Sequence, residues 1–122
     1  MKSCIWVVDD DHGILEVVQI VLEGAGYDVK TIDSEYLFKE EIQKNKPDLV
    51  LLDILLSGAD GRDIARQIKN NIITATTPII MMSADTHLQE KCDEVCADDY
   101  IKKPFDIDQL ENMVSKYLKA DI

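Results

Sequence analysis

Four short stretches of this sequence end or begin in side chains able to do chemistry on phosphorus. They are Asp9-Asp10-Asp11 after an apolar run, Asp53 after a second, Ser83 after a third, and Lys103 before Pro104. Carboxylates packed side by side repel, so each raises the cost of ionising the next. A hard divalent cation relieves that cost. Mg2+ takes oxygen ligands and keeps several waters, which leaves room for a phosphoryl oxygen in its shell. Asp10 and Asp53 suit direct ligation, with Asp9 holding a metal-bound water. A carboxylate such as Asp53 can attack phosphorus and form an acyl phosphate. Lys103 and the Ser83 hydroxyl can then bind the remaining phosphoryl oxygens, and positioning with electrostatics supplies most of what phosphoryl transfer needs.

Taken singly, each residue has a plainer reading. The acid run can be a solvated turn and helix cap, Asp53 a second cap, Ser83 a turn residue and Lys103 one surface lysine among many. The functional reading rests on their joint placement, and so on the elements that carry them.

Cys4–Val8 is short, apolar and rich in strand formers. Leu15, Val18 and Leu22 follow at helical spacing, capped by Asp10 or Asp11 and closed by Gly24 and Gly26. Tyr27–Thr31 reads as a more polar strand, hence an edge. Ser34 opens a helix that runs toward Lys46 and is broken by Pro47. Leu49–Leu52 is continuously apolar without alternation, the pattern of a central parallel strand buried on both faces. Ser57–Gly61 is a turn, and Ile64, Ala65 and Ile68 mark the helix after it. Pro78–Met82 is a fourth strand, His87–Val95 a short polar helix, and Asp99–Lys102 a fifth strand. In the last helix, Ile107, Leu110, Met113, Val114, Tyr117 and Leu118 are spaced for one buried face.

Strand and helix thus alternate five times, which predicts an α/β fold: a doubly wound (βα)5 three-layer sandwich with a parallel sheet. Ligands in such folds sit at the carboxyl ends of the strands. The strand ends are where Asp9, Asp10, Asp53, Ser83 and Lys103 fall.

Composition narrows the function classes. The 122 residues suit one domain. A net charge of -11, from 24 acidic and 13 basic side chains, is a poor match to a nucleic-acid backbone. No run approaches the ~20 apolar residues of a membrane span, and the start lacks a signal-peptide segment, so a cytoplasmic location is expected. Three cysteines cannot all pair within one chain. Cys4 reads as a near-core residue, Cys92 and Cys96 as thiols facing each other on a helix. Trp6, Met81 and Met82 read as core. His12 is a helix-start residue beside the acids, and His87 carries no assigned chemistry.

The segments Val7-Val8-Asp9-Asp10-Asp11, Pro47–Asp53, Pro78–Ala84 and Ala97–Phe105 together resemble the receiver domain of two-component response regulators. The resemblance spans essentially the whole chain, 1–122, as a single receiver domain without an output domain. It implies strand order 2-1-3-4-5 and a cis Lys103–Pro104 bond. It implies that Asp53 takes a phosphoryl group from the histidine of a sensor kinase or histidine phosphotransfer protein. Mg2+, with Mn2+ able to replace it, would be held by Asp10, Asp53 and the Leu55 backbone carbonyl, and by Asp9 through water. Lys103 would pair with the phosphoryl group, Ser83 would move toward it, and Tyr100 would turn inward as the switch aromatic. Implied partners are the kinase, an output domain or effector, and a second copy through the fourth helix, fifth strand and fifth helix.

The departures from that pattern are specific. Ser57 stands where many members have proline, which is expected to relax the turn. Cys96 stands at a common glycine and is strained if that position needs positive φ. Ser83 replaces the commoner threonine. Leu55 and Asp85 lie where family members tune phosphoryl lifetime, and Asp85 can position a water or repel the phosphoryl group. Two rival functions remain open at this stage. A Mg2+-dependent small-molecule phosphatase is disfavoured because Asp53-Ile54-Leu55-Leu56 contains no second acid. A non-phosphorylated interaction domain is disfavoured because the acids, hydroxyl and lysine are all present. The chain ends at Ala120-Asp121-Ile122, compatible with a standalone regulator or a receiver cut from a larger one.

Overall fold

The computed structural model describes residues 2–118; the C-terminal Ala120–Ile122 lies outside that range. Five strands form one parallel sheet: β1 (Cys4–Val8), β2 (Asp28–Ile32), β3 (Leu49–Asp53), β4 (Ile79–Ser83) and β5 (Asp99–Lys102). Their order is β2-β1-β3-β4-β5, as expected. The helices are α1 (His12–Gly24), α2 (Glu35–Lys44), α3 (Gly61–Asn70), α4 (Leu88–Glu94) and α5 (Ile107–Ser115). A two-residue hairpin, Leu55–Leu56 against Ala59–Asp60, stands where only a turn was expected.

The inner strands are apolar throughout because the pleat sends successive side chains into two different cores. Trp6, Val8, Val50, Leu52 and Met81 join Phe38, Ile64, Ile68 and Leu88 under α2, α3 and α4. Ile5, Val7, Leu49, Leu51, Ile80 and Met82 join Leu15, Val18, Leu22, Leu110 and Val114 under α1 and α5. Burying a side chain of this size contributes ~2 kcal/mol, so both faces are firmly held. Trp6 meets Phe38 edge to face, with ring centroids 6.1 Å apart. β2, partly exposed, is an edge strand.

The helix ends follow local chemistry. Asp11, rather than Asp10, caps α1 by accepting from the Gly13 and Ile14 amides. Ser34 caps α2, Asp60 caps α3, and Asp106 makes a capping box with Gln109. Three expectations need correction. Ile107 is 54% exposed, because as the first helical residue it points away from the sheet. Tyr117 and Leu118 pack against the core from beyond the end of α5. Cys92 and Cys96 do not face each other: α4 stops at Glu94, Cys92 is buried, and Cys96 is exposed with φ 57°. The strain feared at Cys96 is therefore real. The Lys103–Pro104 bond is cis.

Candidate functional site

Register assembles the site. Val8 lies opposite Leu52, which brings Asp9 level with Asp53 at the carboxyl ends of β1 and β3. Asp53 lies opposite Met82 and Ser83 opposite Lys102, so Ser83 and Lys103 complete the same rim. The rim includes the β1/β3 junction, where strand order reverses.

One carboxylate oxygen from each of Asp9, Asp10 and Asp53 falls within 4.8 Å of the others. Asp9 is wholly buried and Asp53 nearly so. Lys103 Nζ donates to Asp9 Oδ2 at 2.7 Å and to Asp53 Oδ2 at 3.2 Å. One cation thus pairs with two of the three carboxylates. Burial, and then the Asp9 charge, push the Asp53 carboxyl up to about 6 despite Lys103. Burial works to lower the Lys103 ammonium's pKa, but the two acids outweigh it and the net shift is upward. The donor set is all oxygen, in excess negative charge, and within reach of a single ion. These properties fit a hard divalent cation.

Each acid is also oriented. Asp9 Oδ1 accepts from the Asp11 amide at 2.9 Å, and Asp53 Oδ1 from the Leu55 amide at 3.3 Å. Asp10 Oδ2 accepts both the Ser57 amide at 2.9 Å and the Ser57 hydroxyl at 2.6 Å. That hydroxyl, ahead of a smaller opposing effect of burial, holds the Asp10 carboxyl below the usual range. Ser57 therefore ties its turn to Asp10 through two hydrogen bonds that a proline at this position could not make.

The remaining candidates are placed as follows. Asp53, Leu55, Ser83, Ala84, Asp85 and Lys103 line an open cleft. The Leu55 side chain is exposed. The Ser83 hydroxyl accepts from the Asp85 amide at 3.1 Å. The Asp85 carboxylate is ion-paired with Lys91 of α4 and accepts from the His87 amide at 2.7 Å. Tyr100 is partly buried against the core beneath α4, and its hydroxyl donates to Gln89 at 3.3 Å. It lies beside Met81, two residues before Ser83 on the neighbouring strand. His12 is exposed and contacts Asp33 at 3.0 Å, outside the acid cluster.

Gly61 was missed by sequence reasoning. A Cβ there would lie 2.1 Å from the Asp53 carbonyl oxygen and 2.8 Å from Ile54 Cα. Only glycine lets α3 begin against the backbone that carries Asp53. The Asp60-Gly61 pair at a helix start was the available signal.

Comparison with known proteins agrees with this geometry. Residues 5–115 match the family described as the response regulator receiver domain. The phosphate regulon transcriptional regulatory protein PhoB of Pseudomonas aeruginosa is 41% identical over 103 residues, covering 83% of this chain and 45% of that protein. The response regulator ArlR of Staphylococcus saprophyticus is 40% identical over 111 residues, covering 87% of this chain and 48% of that one. The chain thus spans about half the length of these curated relatives. A response regulator crystal structure from Chloroflexus aurantiacus superposes with TM-score 0.90 at 33% identity, covering 96% of this chain and 98% of that one. The chain belongs to the response regulator receiver domain family, and its function is that of a phosphoacceptor signalling domain.

Proposed function

We propose that Asp53 is the phosphoacceptor and that its donor is a phosphohistidine of a sensor histidine kinase or histidine phosphotransfer protein. The observation that carries this is the placement of Asp53 itself: nearly buried, at the centre of the acid cluster and within reach of Lys103. An Asp53 carboxylate oxygen attacks phosphorus, an O–P bond forms, the P–N bond breaks, and the departing imidazole nitrogen takes a proton. With its carboxyl at about 6, Asp53 is mostly ionised at neutral pH and ready to attack.

Asp10, Asp53 and the Leu55 carbonyl would hold Mg2+ directly and Asp9 would hold it through water; Mn2+ shares the same oxygen preference and would be held alike. When bound, the ion neutralises charge on the transferring group. Lys103 holds a second phosphoryl oxygen. The phosphoryl group adds charge and acceptor oxygens at Asp53. Ser83 turns its hydroxyl toward them and gives up the Asp85 amide, and Tyr100 follows inward under α4. This is a shift between two conformations of one domain. The surface of α4, β5 and α5 carries the change to an output domain, an effector or a second copy of the chain. No helix among the described residues is long and apolar enough to cross a membrane. We place the domain in the cytoplasm, where its donor would be available.

The test is intact mass after incubation with acetyl phosphate and Mg2+. Wild type gains one phosphoryl group and loses that gain in EDTA, while D53N gains none. Phosphate retained on D53N would overturn the assignment of Asp53.

A further inference from the structure

Asp9 and Asp53 are each oriented by an amide two residues further along the chain. Asp10 is different. Its carboxylate is held from 47 residues away, by two donors of one residue on one oxygen. The hairpin that presents this residue is anchored at its base. Leu55 pairs with Asp60 and Leu56 with Ala59. The Gly61 amide donates to the Ile54 carbonyl at 2.6 Å, and the Asp60 side chain caps α3. Ser57 and Gly58 form the tip. Gly58 has φ 73° while Ser57 is not in the left-handed region, which is what a type II turn with Ser57 at its first central position requires of φ.

We infer that Ser57 is a positioning residue for the cation site. It fixes the Asp10 carboxylate through Oδ2 and leaves Oδ1 for the ion. Among the described residues, Oδ1 receives no hydrogen bond from another residue. A carboxylate fixed in advance loses less rotamer freedom when the ion arrives, and partners that orient metal ligands in this way commonly set ~10–100-fold in affinity. The inference deepens the Mg2+-assisted reading above and rests on it.

The turn offers a graded test. Alanine removes the hydroxyl and keeps the amide. Proline removes both donors, yet its fixed φ suits the first central position of a type II turn, so the hairpin survives. Threonine keeps both donors. The experiment is calorimetric titration of the metal-free protein with Mg2+ for wild type, S57T, S57A and S57P, with thermal unfolding in EDTA run alongside. Affinity should fall for S57A and fall further for S57P, by about tenfold, while S57T stays close to wild type. Metal-free melting temperatures should change little across the set, which separates ligand positioning from general stability. S57A and S57P binding as tightly as wild type, or S57T as weak as S57A, overturns the assignment of Ser57 alone. A wild type that binds no Mg2+ instead overturns the metal-site reading and this inference with it.

Discussion

The domain holds two clusters of carboxylates that obey different rules. At the sheet rim, Asp9, Asp10 and Asp53 cluster around one cation, Lys103, which pairs with Asp9 and Asp53, the two that are buried. On the surface between α3 and α4, Arg62 bonds Asp60 and Glu94, Arg66 bonds Asp63 and Glu94, and Lys69 bonds Asp98. The surface network has a cation near each acid and water around it. The rim has a deficit of positive charge where solvent screening is poor. Unbalanced, desolvated charge costs stability, and a fold retains it where it performs work. The contrast separates acids left short of a cation from acids paired across a solvated surface.

Removing the rim's cation should have the largest effect. K103M leaves Asp9 buried without its partner, and metal-free K103M should unfold about 3–5 kcal/mol more easily in urea at pH 7.5. An unchanged midpoint would mean that the rim is as well screened as the surface. Next comes Gly61, where the two regions meet. G61A drives a methyl into the Asp53 carbonyl and should cost about 3 kcal/mol. It should also weaken Mg2+ binding, because the displaced backbone carries Asp53.

Removing an acid from the rim should have the opposite sign. The folded-state pKa of Asp53, about 6, lies above its ordinary value of 3.8. The folded state therefore binds the proton more tightly, and that stabilisation is present below pH ~4 and lost as pH rises through 6. Metal-free D53N, which cannot ionise, should exceed wild type by about 2 kcal/mol at pH 7.5, with the gap closing by pH 4. Denaturant midpoints at the two pH values decide this, and a gap independent of pH would refute it. The smallest effect is expected for E94A, which removes two surface ion pairs. It should shift stability by about 0.5 kcal/mol or less, diminishing with added salt.

Much of this was legible in the sequence because strand ends announce themselves. Leu49–Leu52 passing into Asp53 marks a buried strand reaching a rim, and parallel register then brings Asp9, Ser83 and Lys103 level with it. What escaped depends on distance in the chain or on where a helix stops. Ser57 and Asp10 lie 47 residues apart, and no periodicity joins them. The pairing of Asp85 with Lys91 could not be read, because Lys91 is presented only once α4 has formed. The four-residue spacing of Cys92 and Cys96 suggested neighbours on one helix, but α4 ends between them. Spacing predicts facing residues only while the helix lasts.

The end of α4 also separates two of the three thiols by accessibility. Burial, and then the charges of Asp93 and Asp99, push the Cys92 thiol up to about 11. The Cys4 thiol is raised too, chiefly by burial. Thiolate is the species that alkylates, so both should react slowly with maleimides at neutral pH. Cys96 is exposed, on the short link from α4 to β5. The unmodified sequence thus carries its own attachment point for a fluorophore, placed where α4 gives way to the edge strand of the sheet.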